Sequence, residues 1–265
     1  MTRSFAFGTN WQRFLDRVDE PQIEAAMQSL RDMLEIQDLK GKRFLDVGSG
    51  SGLFSLAATR LGADVFSFDS DKESVACTEE VKRRFASVAA KWDIEKGSIL
   101  DEDYLKKLGQ FDVVYAWGVM HHTEDMPRAL AHAATAVGED GKIFISIYND
   151  QGKASRIWKC IKSFYNAAPN PLKWLLVLIV GAYFELKSFL AWLTAPRRYL
   201  VMRKKRGRGM AKWYDLVDWV GGYPFEVAKP EEIFDFYRER GFVLRRLKTH
   251  AGGIGCNEFV FERRI

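Results

Sequence analysis

The chain has 265 residues, 47% of them hydrophobic, and a formal net charge of +5. That length supports one sizeable core with an insertion and leaves two full domains cramped. Three widely spaced cysteines, Cys77, Cys160 and Cys256, stand without a Cys-x-x-Cys or His-rich neighbour, which speaks against a disulfide framework or a metal site and for a reduced, cytoplasmic setting. Met1 to Phe5 has no apolar run behind Arg3, so no secretory signal is expected.

In chain order, the aromatic segment Phe5 to Trp11 lacks periodicity and reads either as a flap over a ligand, with Trp11 facing substrate, or as a tail on the core. Ile23, Ala26, Met27, Leu30, Met33 and Leu34 recur at helical spacing and predict a helix over 21–39, so 1–40 reads as an N-terminal flap and helix. Strands and helices then alternate: strand 44–46, helix 54–61, strand 64–68, helix 72–87, strand 92–99, a short helix near 104–108, strand 111–116, helix 126–137 and strand 142–148. The pattern breaks, and resumes at Pro230 with helix 231–240 and strands 242–249 and 257–263. Alternation of this kind demands a parallel sheet covered on both faces. The glycine-rich connector 251–255 suits a hairpin between the last two strands. The expected fold is α/β, a Rossmann-like doubly wound sheet over 41–149 and 230–265, mostly parallel, with an antiparallel C-terminal hairpin strand and a helical insertion, 150–229, after the fifth strand.

The first strand ends Phe44-Leu45-Asp46-Val47-Gly48-Ser49-Gly50-Ser51-Gly52. Glycine has no Cβ and tolerates positive φ, so this turn lets backbone approach a ligand closely. A second acid, Asp69, ends the next apolar run, where a doubly wound fold places a carboxylate to accept hydrogen bonds from ribose hydroxyls. Nicotinamide-binding loops space their third glycine one residue later, and Asp46 would repel a pyrophosphate while suiting an ammonium group. The segment Phe44 to Leu53 with Asp69 therefore resembles the first motifs of class I S-adenosylmethionine-dependent methyltransferases. The resemblance implies S-adenosyl-L-methionine as cofactor, bound by Asp46, Gly48, Ser49, Gly50, Gly52, Asp69 and Ser70. By the same resemblance Ser98 and Ile99 edge the adenine, and Trp117 and Gly118 border the methionine part.

The fourth strand runs into Gly118-Val119-Met120-His121-His122-Thr123, similar to the corresponding segment of small-molecule methyltransferases, including ubiquinone-pathway enzymes. His121 and His122 are the catalytic candidates, His121 favoured, as the general base that removes the acceptor's proton. No Asn-Pro-Pro-Tyr or Asp-Pro-Pro-Tyr follows this strand, which departs from enzymes that methylate planar nitrogens. Tyr148 and Asn149 at the end of the fifth strand, with Trp213, Asp218 and Tyr223 from an aromatic cluster closing the insertion, are the candidate acceptor contacts; the cluster equally serves to dock the insertion on the core.

Inside the insertion, Trp174 to Phe184 carries no charge, and Arg197 to Lys212 holds eight lysines and arginines with no acid. The apolar run is short of the roughly 20 residues of a membrane span. A buried lid helix over the site is the favoured reading; peripheral membrane contact through 171–212 is the alternative, and nucleic acid is disfavoured because no binding motif accompanies the basic run. The expected activity is methyl transfer to a hydroxyl or thiol of a small or hydrophobic acceptor. A cofactor-binding or membrane-associated adaptor without turnover is the first rival, and a nicotinamide-dependent oxidoreductase the second.

Overall fold

The computed structural model describes residues 18–194, 212–250 and 255–264. The described residues divide into two compact units: 156–223, and 18–155 together with those from 224 onward. The larger unit is built on a seven-stranded sheet in the order β3-β2-β1-β4-β5-β7-β6. Its strands are β1 (Arg43–Val47), β2 (Asp64–Asp69), β3 (Trp92–Lys96), β4 (Phe111–Trp117), β5 (Val137–Tyr148), β6 (Phe242–Lys248) and β7 (Cys256–Arg263). The first five pair in parallel, and β7 lies antiparallel between β5 and β6. The expected mostly parallel sheet with an antiparallel hairpin strand is the one observed. Chain order reverses between β1 and β4, and ligands of open α/β sheets bind beyond the carboxyl ends of the strands at such a point.

The helices of this unit are α1 (Glu20–Leu34), α2 (Leu53–Arg60), α3 (Lys72–Phe85), α4 (Glu102–Leu108), α5 (Met126–Thr135) and α9 (Pro230–Arg238). Successive strand side chains point to opposite faces. Leu45 and Val47 accordingly join Ala129, Leu130, Ala133, Ile233 and Tyr237 in one core. On the other face, Tyr115 stacks on Phe44 and on Phe54 of α2, with ring centroids 5.9 and 4.9 Å apart. Side chains cap several helices: Asp19, Asp71, Asp101 and Asp125 each accept a backbone N–H of the first turn. α1 stops at Leu34, short of the periodicity's reach to Leu39, because Glu35 turns left-handed at φ 55°.

The smaller unit holds α6 (Lys153–Ala167, which begins in the larger unit), α7 (Asn170–Thr194) and α8 (Lys212–Gly221). Tyr165, Val177, Val180 and Val220 form its core, with Trp158, Phe184, Leu216 and Trp219 packed around them. The expectation of a buried lid helix fails here. α7 runs without a break well past Trp174 to Phe184 at both ends, so that its 25 residues exceed the expected short run and reach the length of a membrane span, and Leu178, Ile179 and Trp174 are 56, 56 and 59% exposed. Among the described residues of the helix, Val177 and Val180 are the buried ones.

Candidate active site

The glycine loop links β1 to α2 in three left-handed steps, with φ of 72° at Gly48, 54° at Gly50 and 76° at Gly52. Two of these glycines are also required by their neighbours. A Cβ on Gly48 would lie 2.6 Å from Val119 Cγ2, and one on Gly52 would lie 2.9 Å from Thr78 Cγ2 and 3.0 Å from Thr78 Cα. Gly52 thus serves the close approach of α2 and α3. Ser49 is buried, and its hydroxyl lies 2.9 Å from that of Thr78, which in turn donates to the Gly50 carbonyl at 3.3 Å.

Asp69 closes the loop from the end of β2. Its carboxylate accepts from the Gly50 N–H at 3.0 Å and from the Asp71 N–H at 2.9 Å. Burial pushes its pKa up while these backbone donors hold it down. Ser70 follows it directly, exposed at the carboxyl edge of the sheet.

Asp46 lies beneath the loop at 2% exposure. Its carboxylate accepts from the Ser55 hydroxyl, which lies 2.6 Å from the Ser67 hydroxyl, and Ser67 accepts from Trp92 Nε1–H at 2.8 Å. With the Ser55 proton directed to Asp46, Ser67 donates to Ser55, so a directed chain runs from β3 to the end of β1. Burial, reinforced by the charge of Asp69, raises the Asp46 pKa to about 7 against the pull of Ser55. Two acids whose ionisation is resisted by burial, at the switch point of the sheet, suit a ligand that carries positive charge. S-adenosylmethionine, with its sulfonium and ammonium, fits that requirement and the glycine cradle together.

Farther along the edge, Ser98 and Leu100 border an open cleft with Asp101 and Arg128. Ile99 does not share that position, because its side chain is part of the main core and its carbonyl accepts from His132 Nδ1 at 2.8 Å. At the end of β4, Trp117 is half-buried and Gly118 turns at φ 78°.

A 3-10 turn, Met120–His122, follows. His121 is 1% exposed, its ring centroid 4.0 Å from that of Tyr148, and its carbonyl accepts from the Glu226 N–H at 3.0 Å. His122 is half-buried, and its Nδ1 lies 2.6 Å from the Pro224 carbonyl oxygen. A carbonyl can only accept, so Nδ1 carries the proton, and in the neutral ring Nε2 holds the lone pair. Glu226 reaches the same corner: its carboxylate accepts from the Met126 N–H at 3.2 Å, at the start of α5. Tyr148 also lies 5.1 Å from Phe225, and Asn149 accepts from Asn257 Nδ2 at 3.1 Å and bridges to Ala228.

The structure therefore brings Asp46, Gly48, Gly50 and Asp69 together and sets the histidine pair beside Tyr148. Trp11 and the basic run from Arg197 to Lys212, Lys212 excepted, lie outside the described residues. Trp213 and Asp218 belong to α8, but their side chains lie outside the described ones; Tyr223 ends the smaller unit. What the motif reading missed is the strip Pro224 to Glu226 as a support for the histidines. A backbone carbonyl leaves no mark in the sequence, so nothing in the residues of the strip signals that role. Among the described residues, no group of three or more His, Cys, Asp or Glu is placed to hold a metal ion.

Comparison with known proteins agrees with this fold and with S-adenosylmethionine as the cofactor. A methyltransferase domain family model matches residues 18–197. The ubiquinone biosynthesis O-methyltransferase of Sinorhizobium fredii is 28% identical over 145 residues, covering 55% of this chain and 54% of that protein. The Aeromonas salmonicida enzyme of the same name is 31% identical over 117 residues, covering 44% of this chain and 47% of its own. The chain thus spans about half the length of the curated relatives it matches. Among solved structures, magnesium protoporphyrin IX methyltransferase from Synechocystis, determined with S-adenosylhomocysteine, shares the fold at a TM-score of 0.54 and 14% identity, covering 97% of this chain and 94% of its own. The chain belongs to the methyltransferase domain family, with the class I S-adenosylmethionine-dependent architecture.

Proposed function

We propose that this chain methylates a hydroxyl or thiol of a small or hydrophobic acceptor, with His122 as the general base. The observation that carries the reading is the 2.6 Å contact between His122 Nδ1 and the Pro224 carbonyl, at the carboxyl end of the strand beside the glycine loop. It fixes the tautomer with the proton on Nδ1 and the lone pair on Nε2, the form in which an imidazole acts as a general base. His121 was the candidate favoured by resemblance, but its ring is buried against Tyr148, so its part in this proposal is to hold His122 and the Glu226 strip in place.

The cofactor supplies a methyl group on a sulfonium, activated for in-line displacement. The chain aligns and deprotonates. Asp69 accepts from the ribose hydroxyls while fixing Gly50, Gly48 and Gly50 present backbone to the ligand, and Ser98 edges the adenine. Thiols and phenols are acidic enough for a positioned imidazole to deprotonate. An aliphatic alcohol is a far weaker acid and needs deprotonation concerted with transfer. The curated relatives carry O-methyltransferase in their names, which favours oxygen over sulfur.

The test is a panel of phenols, thiols and aliphatic alcohols offered with labelled S-adenosylmethionine. Transfer to a phenol or thiol, ahead of alcohols, supports the reading. Cofactor binding without transfer to any member, or to any compound in a cell extract, contradicts it and leaves the adaptor.

A further inference from the structure

We propose that α7 docks the protein on an anionic lipid bilayer, lying in the plane of the interface. This inference goes beyond the methyl-transfer reading and stands without it. At 25 residues the helix is about 37 Å long, and its most apolar window has a mean hydropathy of 1.7 with 11% of its residues buried. Leu175, Leu178, Ile179, Leu186, Leu190 and Leu193 are each between 51 and 58% exposed. At about 100° per residue these six fall within an arc of about 120°, while the buried Val177 and Val180 point the opposite way, toward Tyr165 and Val220.

The same projection separates lying on a membrane from crossing one. Glu185 and Lys187 fall on the two flanks of the apolar arc and none of the helix's charges lies within it, the distribution of a helix half-sunk at an interface. The opposite face is packed on α6, which carries Lys153, Arg156, Lys159 and Lys162 and would have to enter the hydrocarbon with it if α7 spanned. Trp174 and Trp192, near the two ends of the helix, are 59 and 45% exposed, and indole favours the headgroup level.

The choice of lipid over a second copy of the chain rests on charge. Immediately after α7, residues 197–212 carry eight lysines and arginines and no acid. Parallel self-association through α7 would bring two such runs together, whereas an anionic leaflet attracts each of them whatever the helix's direction.

Flotation of the full chain, purified in mild detergent, with phosphatidylcholine vesicles containing about a third phosphatidylglycerol tests this. The expected result is co-flotation at low ionic strength, reduced several-fold by salt or by replacing Arg203, Lys204, Lys205 and Arg206 with alanine. L178E/L186E should reduce the bound fraction at least about tenfold. Both positions are exposed, so S-adenosylhomocysteine affinity, measured by calorimetry, should stay at the wild-type value and report an intact core. Absence of flotation at low salt overturns the proposal, as does flotation indifferent to L178E/L186E. A vesicle-independent dimer that L178E/L186E splits overturns it as well, by assigning the face to a protein contact. Failure of methyl transfer with flotation intact would count against the catalytic reading alone.

Discussion

Asp69 and Gly50, 19 positions apart in sequence, meet through a 3.0 Å hydrogen bond from the Gly50 N–H to the Asp69 carboxylate. The acid expected to recognise ribose is thereby also what holds the glycine loop closed. An accepting carboxylate oxygen keeps a second lone pair, so the two tasks are compatible.

Replacing Asp69 should consequently harm the cofactor site twice. In Asp69→Ala the Gly50 and Asp71 N–H groups lose their acceptor and the ribose contacts are lost with it. S-adenosylhomocysteine affinity should fall by about 10-fold to 150-fold, the range for hydrogen bonds to a charged group. Asp69→Asn keeps one accepting oxygen and should fall less. Calorimetry reads both, and unchanged affinity in Asp69→Ala would remove Asp69 from the site.

The contact between Gly48 and Val119 can be tested as a pair. Gly48→Ala places a Cβ against the Val119 side chain at a φ of 72°, and should cost about 1–2 kcal/mol for the left-handed backbone and a further 1–3 kcal/mol for the clash. Val119→Ala removes the branch. In the double variant the clash portion should be recovered and the backbone portion should remain. Urea unfolding of the four proteins measures the coupling, and strict additivity would show that the loop and the β4 turn do not touch.

Asp46 makes stability depend on pH. Its carboxyl is protonated up to about pH 7 in the folded protein, whereas in the unfolded chain it ionises near 4. Between these values the folded state binds more protons, so this group's contribution to stability falls as pH rises from about 4 to about 7, then levels off. Asp46→Asn keeps the acceptor for Ser55 without the charge. Its stability relative to wild type should therefore rise across that window, by up to a few kcal/mol, in urea denaturation at pH 4.5, 6 and 7.5. A flat difference would mean that Asp46 is ionised throughout.

The two histidines should part company. His121→Ala removes a buried ring packed on Tyr148 and should destabilise by about 1–3 kcal/mol, with folded molecules retaining most of their activity. His122→Ala should leave stability within about 1 kcal/mol of wild type, because its ring is half-exposed, and should strike turnover. Thermal unfolding alongside activity per folded molecule separates them; the reverse pattern would return the base to His121.

The parts legible in sequence were those whose chemistry is local. β1, the glycine turn and Asp69 form one strand-turn-helix-strand unit, and strand alternation implied the parallel sheet because each buried strand is a short apolar run. Contacts across long separations left no such trace. Pro224 meets His122 across 102 residues and Glu226 meets Met126 across 100, one through a backbone carbonyl and the other through a backbone N–H that any residue supplies. The exposure of α7 is not legible in the sequence for a related reason. Hydropathy reports that a helix wants apolar company, and only packing shows that Val177 and Val180 find it within the protein while Leu178 and Leu186 do not.

The most direct measurement of the central claim is label transfer from methyl-labelled S-adenosylmethionine into a whole-cell extract that includes its membrane fraction, with wild type and His122→Ala matched for S-adenosylhomocysteine affinity. The account predicts a labelled product with wild type, formed about 100-fold or more slowly by His122→Ala, the scale for losing a positioned base. Equal rates from the two proteins, or cofactor binding with no labelled product from either, would contradict it.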